Sequence, residues 1–317
     1  MQYPEFSLQM MVRSNVLVIF RKQIGDVLLL QPALERLSRR DGRVSIYART
    51  GFADMLALMP GDIQLAEDSL LPRVKDVYCL ESRPAAILQA ARALGARKHL
   101  LLSRDNAPWW RRLIFDEYKV VDGTNRYRAA LYQDLFGFSD EVFVPPRLGL
   151  PPADWRPEGL PAAYVVVHPT AAWRQKTWPA ANWVNAMRRI RPDASWVLTA
   201  GPTRWEVEFA QEIANSFGTR NLINLAGRTS FRQYLAVLAS ASATLCVDGS
   251  ASHISSAFGR PTLTLFGPSN AVRWHWPSNR NVCLKAGDFV VQSKPPVSGI
   301  PVDAVVEVAS DLLATYS

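Results

Sequence analysis

The chain is poor in the residues that staple or ligate. Of its 317 residues only three are cysteine and four are histidine. Cys79, Cys246 and Cys283 stand far apart with no C-x-x-C pair. That excludes a disulfide framework and fits a reducing compartment. There is no H-E-x-x-H and no Cys/His cluster, so no zinc site is evident. The G-x-G-x-x-G fingerprint of NAD-type folds and the G-x-x-x-x-G-K-[ST] phosphate loop are both missing. So are G-x-S-x-G and the D-x-D acid pair that often holds a metal. No apolar run reaches the ~18 residues of a membrane span. The first fourteen residues lack the basic start and long apolar run of a secretory signal. Met11 is a second candidate start, just ahead of the first expected strand. No repeat at solenoid periods occurs.

What is present describes an ordinary soluble globular chain, 48% hydrophobic and 20% charged. Its length suits two domains of roughly 150 residues. A chain this long buries ~75% of its unfolded surface and needs no staples. The net charge is +8, shared equally by residues 1–150 and 151–317, with no basic tail. Of the 36 basic residues 29 are arginine, which suits bidentate contacts to phosphate and carboxylate. Charge alone leaves nucleic acid, an anionic membrane face and an acidic substrate all open.

Hydrophobic patterning predicts an alternation of strands and helices. NVLVIF (15–20) reads as a buried strand, followed by a loop RKQIGD and a helix VLLLQPALERLSRR. RVSIYA (43–48), VKDVYCL (74–80) and HLLLSR (99–104) read as further strands. Between 145 and 161 lie six prolines, which break regular structure and mark a stiff linker. After it the pattern restarts with AYVVVHPT (163–170) and continues through SWVLTAG (195–201), TLCVDG (244–249) and TLTLFGP (262–268). The expected fold is α/β: two Rossmann-like domains, 1–150 and 151–317, with parallel sheets facing a central cleft. The last helix, near 302–315, is a candidate to pack back on the first domain.

In open α/β sheets ligands bind beyond the carboxyl ends of the strands, and four such loops carry unusual residues. In RKQIGD, Gly25 permits a tight turn, and Asp26 is either a general base or a plain helix cap. In HPTAAWRQKTWP, Arg174 and Lys176 precede a helix near Pro179, where they can neutralise phosphate or simply be solvated. In GPTRWEVEFA, Glu206 and Glu208 flank a helix start, where a carboxylate can hold ribose hydroxyls; the surface-helix reading suits Glu208 better than Glu206. The fourth, CVDGSASHISSAFG, is the most telling. Asp248 ends a strand, Gly249 to Ser252 are small, and His253 lies in the first turn of a helix whose free N–H groups suit a diphosphate.

Taken in order, these segments resemble glycosyltransferase family 9, the lipopolysaccharide heptosyltransferases. VLVIFRKQIGDVLLLQPAL resembles the family's opening strand and its G-D-[VM]-L-L element. VVVHPTAAWRQKTWP resembles its H-P…K-x-W element, and NLAGRTSF…CVDGSASHISSAFGRPTLTLFGPS its last block. The resemblance implies the GT-B fold, with the acceptor on the first domain and the nucleotide-sugar on the second. It implies heptose transfer from ADP-heptose with inversion, without metal or cofactor, onto the inner core of lipopolysaccharide. By position it implies Asp26 as catalytic base, and Thr170, Lys176, Glu206, Thr229, Asp248, Gly249, Ser250 and His253 around the donor. The chain departs from the usual D-S-[AG]-P at Asp248–Ala251, carries Ser255-Ser256 for Ala-Ala, and has Lys22 and Gln23 in the opening loop. The HPTAAW start is more similar to the branch that adds a side heptose than to the branch acting on Kdo.

On the acceptor side Lys22, Arg104, Arg126 and Arg128 are the candidates, with Arg111, Arg112, Trp109 and Trp110 nearby. For any single arginine here an ordinary helix surface is the favoured reading. The tryptophans suit a membrane interface, so peripheral contact with the inner leaflet is a hypothesis beside the expectation of a cytoplasmic monomer. Three other readings stand beside this one. They are a transferase with another sugar or a protein acceptor, a non-catalytic ADP-sugar binder, and a nucleic-acid binder. Nucleic acid as partner is not expected, because no basic tract or known motif accompanies the charge.

Overall fold

The computed structural model describes residues 15–66 and 74–316. The reading of the first fourteen residues, Met11 included, lies outside them. The first half contains β1 (Val16–Ile19), α1 (Ile24–Leu29), α2 (Gln31–Asp41), β2 (Val44–Tyr47), α3 (Ala53–Ala57), β3 (Ile63–Leu65), β4 (Asp76–Cys79), α4 (Pro84–Ala91), β5 (Arg97–Leu102), α5 (Trp109–Arg112), β6 (Glu117–Val120) and α6 (Arg128–Leu135). The second contains β7 (Val165–His168), α7 (Ala180–Ile190), β8 (Trp196–Leu198), α8 (Arg204–Phe217), β9 (Leu222–Asn224), α9 (Phe231–Ser240), β10 (Ala243–Val247), α10 (Ser250–Ala257), β11 (Thr262–Phe266), α11 (Ala271–Trp274), β12 (Asn281–Lys285) and α12 (Val302–Tyr316).

The strands form two six-stranded sheets, ordered β3-β2-β1-β4-β5-β6 and β9-β8-β7-β10-β11-β12, and every pairing between them is parallel. Both therefore have the doubly wound order 3-2-1-4-5-6, in which the order of adding strands across the sheet reverses between β1 and β4 and between β7 and β10 while all strands stay parallel. Parallel strands are buried on both faces, which is why β1 and β7 read as unbroken apolar runs. Val16 and Val18 of β1 enter one core cluster, while Leu17 and Ile19 face another with Ala86 and Ile87 of α4.

The first of these clusters is not confined to one sheet. It joins Leu28 and Leu34 of α1 and α2 and Tyr132 of α6 to Val166, Leu235 of α9 and Ile254 of α10. The proline-rich connection is pinned on both sides. Leu148 N–H donates to Ala257 O (2.9 Å), Gly149 N–H to Leu58 O (2.7 Å), and the Arg147 guanidinium pairs with Glu35 (2.5 Å).

Two sequence expectations change. The helix expected from Val27 starts at Ile24 and breaks at Leu30, so Asp26 lies in the first turn of α1 rather than in a loop. The closing helix α12 buries Val305, Ala309 and Leu312 in the second sheet's own core, beside α7 residues Trp183 and Met187, not against the first domain. Among the described residues no helix is long and apolar enough to cross a membrane.

Leu235 is fully buried in the shared cluster. Leu235→Ala is expected to cost about 2–5 kcal/mol. Denaturant unfolding should remain one transition by both tryptophan fluorescence and far-UV circular dichroism. Two separated transitions would mean the halves do not share a core.

Candidate active site

The four loops singled out above all leave carboxyl ends of strands, and those after β1, β7 and β10 flank the two switch points. From β1, the chain passes Lys22 and enters α1 with Gly25 and Asp26. Gly25 is not among the glycines with positive φ, so the tight turn expected of it is not its reason. A Cβ there would lie 2.8 Å from Cδ2 of His253 on the other sheet's α10. The absent side chain lets the imidazole of one domain rest on the first turn of the other.

Asp26 is half-buried beside this contact. Burial pushes its carboxyl above the ordinary range; Lys22, Arg128 and a hydrogen bond from the Tyr132 hydroxyl oppose the rise, and Glu81 adds to it. A proton acceptor with a raised pKa is the kind of group general-base chemistry uses. Tyr132 itself is buried in α6, in edge-on contact with Phe20 (5.5 Å).

Across the second switch point, Lys176 from the loop after β7 meets Asp248 from the loop after β10. Its Nζ lies 2.5 Å from Asp248 Oδ2, and Ser269 Oγ donates to the same oxygen at 2.6 Å. Asp248 is almost fully buried, whereas Lys176 keeps partial access. The carboxylate therefore anchors an ammonium at the start of α10, where unsatisfied N–H groups also gather. Ser252 Oγ donates to Gly249 O (2.8 Å) inside that turn. Gly249 and Ser250 remain half-buried at its mouth. His253 is pushed down to about 4, first by burial and also by Lys176, while Asp248 opposes this. It is thus neutral near pH 7 and offers hydrogen bonds without charge.

Thr170 and Glu206, among the remaining donor-side candidates, have evident structural work. Thr170 is fully buried, and its hydroxyl accepts the Gly201 N–H (3.3 Å), tying the loops after β7 and β8 together. Glu206 closes a capping box with Thr203, accepting from its Oγ1 at 2.5 Å. A Cβ at Gly201 would overlap the Glu206 carboxylate. Glu208 is exposed and pairs with Arg204 (2.6 Å). Thr229 lies half-buried in the loop ahead of α9, whose cap is Ser230. Arg174 lies over the Trp205 ring (5.1 Å).

On the first domain, Lys22 and Arg104 line one hollow of about 200 Å³, and Arg104 and Arg128 line another of about 380 Å³. Arg126 is not with them; it is tied to Asp134. Arg111 donates to Ser82 O and Arg112 pairs with Asp105 (2.6 Å). Trp109 and Trp110 stand exposed on α5. Sequence reasoning missed Tyr132, Glu81 and Ser269. Ser269 follows the quoted LFGP segment, so its place after a strand end was a usable sign. Tyr132 had none, being one aromatic on an otherwise ordinary helix.

The sequence profile of glycosyltransferase family 9 (heptosyltransferase) matches residues 126–292. The chain belongs to glycosyltransferase family 9. Among curated members of this family, lipopolysaccharide heptosyltransferase 3 of Escherichia coli is 28% identical over 158 residues, 47% of this chain and 46% of the relative. Lipopolysaccharide heptosyltransferase 1 of Pseudomonas aeruginosa is 34% identical over 109 residues, 34% and 30% of the two chains. The chain thus spans about half the length, or less, of the curated relatives it matches. A family 9 glycosyltransferase of Veillonella parvula superposes with a TM-score of 0.80 at 17% identity, covering 96% of this chain and 98% of the other. ADP-heptose lipopolysaccharide heptosyltransferase II of E. coli gives 0.77 at 18%, covering 95% and 99%. The E. coli heptosyltransferase WaaC with ADP gives 0.72 at 17%, covering 94% and 99%. These likenesses establish the GT-B fold of two Rossmann-like domains.

Any side chain at position 25 must displace the His253 imidazole. Gly25→Ala is expected to keep the fold and to lower turnover at least tenfold, about 1.4 kcal/mol in barrier. Gly25→Ala in a His253→Ala background should recover part of the Gly25→Ala loss relative to His253→Ala alone. No recovery in that double variant would count against the steric account.

Proposed function

We propose that this chain transfers heptose from ADP-heptose to the inner core of lipopolysaccharide, with inversion and without a metal. The observation that carries the reading is the pairing of two chemistries at the two switch points. A carboxylate with a raised pKa stands on α1, and an anchored ammonium stands at the start of α10. Membership of the family supports heptosyl transfer, and the E. coli enzyme solved with ADP supports ADP as the leaving group.

In this reading Asp26 takes the proton of the acceptor hydroxyl. The freed oxygen attacks the anomeric carbon on the face opposite ADP, forming the new glycosidic bond as the bond to the diphosphate breaks. The electron pair leaves with ADP. Lys176, the N–H groups opening α10 and, from the loop, Arg174 meet the charge that develops on the diphosphate. Asp248 and Ser269 are positioning residues for Lys176. His253, being neutral, hydrogen-bonds sugar or phosphate oxygen. Thr229 and the backbone beside it receive the adenine, and Glu206 faces the ribose while holding its cap. Gly249 and Ser250 let the diphosphate approach, and Thr170 sets the two loops around it. Lys22, Arg104 and Arg128 receive the acceptor.

The test is thermal stabilisation by ADP, UDP, GDP and ADP-heptose in excess EDTA, followed by turnover. At 100 times its dissociation constant a ligand stabilises by ~2.7 kcal/mol. ADP and ADP-heptose alone should shift the melting temperature, in wild type and in Asp26→Asn alike. Asp26→Asn should lose about 10²–10⁴-fold in turnover. Because the Asp26 pKa is raised, activity should appear only as pH rises through a value above the ordinary aspartate range. Tyr132→Phe, which removes a bond favouring the carboxylate, should move that limb higher still. Stabilisation by UDP or GDP instead would refute the donor.

We also infer peripheral contact with an anionic membrane face through Trp109, Trp110 and Leu113, all exposed and flanked by Arg111 and Arg112. Amphipathic aromatics beside basic residues favour that boundary. Wild type should float with anionic liposomes at low salt, and Trp109→Ser/Trp110→Ser should not. Absence of wild-type flotation would remove the contact.

A further inference from the structure

The cavity of about 380 Å³ beyond β5 and β6 is closed by a residue from the other domain. Arg104 and Arg128 line it from the first sheet, and Arg273 reaches it from α11 of the second. None of these three guanidiniums makes an ion pair or a hydrogen bond among the described residues, and the buried Nε of Arg273 is without a partner. Their neighbours contrast with this: Arg112 and Arg126 are paired to Asp105 and Asp134. Two carboxylates, Asp105 and Asp122, share the lining, and the Thr124 hydrogen bonds and, after them, the Arg273 charge hold Asp122 below the usual carboxylate range. Asp105 accepts from Arg112 and from the Tyr118 hydroxyl (2.6 Å), and Asp122 accepts the Thr124 N–H (2.9 Å). Three guanidinium forks without a hydrogen-bonded or ion-paired partner among the described residues therefore converge on one space, with Arg128 also acting on Asp26 and Arg273 on Asp122.

Arg273 is brought there by a built contact between the domains. Asn270 caps α11 through its Oδ1 (2.9 Å) and donates from Nδ2 to Asn125 Oδ1 of the first domain (3.0 Å). Asn125 holds φ at 55°, a left-handed conformation that asparagine tolerates better than most residues. Arg128 lies over the Trp274 ring (5.6 Å), and Tyr127 packs on Trp276 (5.6 Å). A Cβ at Gly123 would come within 2.7 Å of Arg128 Nη1, so the bare glycine leaves that guanidinium its path. The smaller hollow that holds Lys22 shares Ser103, Arg104 and Asn106 with this cavity. A saccharide placed at the α1 loop can thus lay an anionic substituent among the three arginines.

We propose that the cavity is an anion site for a phosphate or carboxylate substituent of the acceptor, and that Arg273 makes its occupancy depend on both domains. The acceptor role rests on the heptosyl-transfer reading; the anion site does not. Guanidinium forks match both oxyanions bidentately. Arg273 is a specificity residue contributed to the acceptor by the domain that carries the donor.

The test titrates inorganic phosphate and, separately, acetate into wild type, Arg273→Gln and Arg273→Lys by calorimetry at low ionic strength. Wild type should bind at least one anion, and Arg273→Gln should weaken it about tenfold or more. Arg273→Lys should recover part of the loss. Loss in the phosphate arm assigns a phosphate substituent, and loss in the acetate arm alone a carboxylate. In turnover Arg273→Gln should raise the acceptor KM and leave the ADP-heptose KM and the ADP stabilisation unchanged. Equal anion affinity in wild type and Arg273→Gln overturns the proposal, whatever the fate of the transfer reaction. Should Arg273→Gln fail to fold, Arg104→Gln, on an exposed side chain, gives the same anion readout. Failure of ADP to stabilise wild type strikes the heptosyl reading and leaves the anion titration to decide the site.

Discussion

The imidazole of His253 occupies the space where residue 25 would carry a side chain, and much of the molecule depends on that contact. It seats the first turn of α1 against α10, so Asp26 and the N–H groups that open α10 come from different sheets yet share one boundary. The apolar cluster behind them runs through both halves, from Leu28 and Tyr132 to Leu235 and Ile254. Two doubly wound sheets each supply one switch point, and the close packing of a glycine on a ring sets how those two points face each other. Hydrophobic burial on the shared side supplies the free energy that holds this arrangement.

The electrostatics divide the labour in a way consistent with transfer chemistry. Burial discourages charge on Asp26 and on His253 alike. For the carboxyl this yields a base that holds a proton more readily than a surface aspartate, at a cost in stability whenever it is ionised. For the imidazole it yields a neutral hydrogen-bonding group. The positive charge beside α10 is left to Lys176, and Asp248 and Ser269 fix where its ammonium stands. A buried carboxylate with two donors is a strong positioning device, because removing either partner leaves the other unsatisfied.

Arginine is abundant, but most of its guanidiniums near the first domain's loops are consumed in structure. Arg111, Arg112 and Arg126 hold Ser82, Asp105 and Asp134. What distinguishes Arg104, Arg128 and Arg273 is the absence of such partners and their convergence from two domains. Net charge alone could not have separated the two groups, since all six residues contribute to it equally.

The sequence by itself determined the class of fold and the order of its parts. Strands such as β1, β7 and β10 were legible because parallel strands buried on both faces must be continuously apolar. The start of α8 was legible at Glu206 and Glu208, just after the loop that follows β8. The edge strands β3, β6 and β12 were not, because a half-exposed edge of three to five residues carries no such run. Asp26, Lys176 and Asp248 could be singled out since each follows closely on a strand end among small or basic residues. Only the tertiary structure decided that α1 breaks from α2 at Leu30, that Gly25 is bare for the sake of His253, and that α12 belongs to the second core. Only it joined Tyr132 to Asp26, Ser269 to Asp248 and Arg273 to Arg128. Those pairs lie 21 or more residues apart, the first two within one domain and the third between domains, and no local periodicity records contacts at such separations.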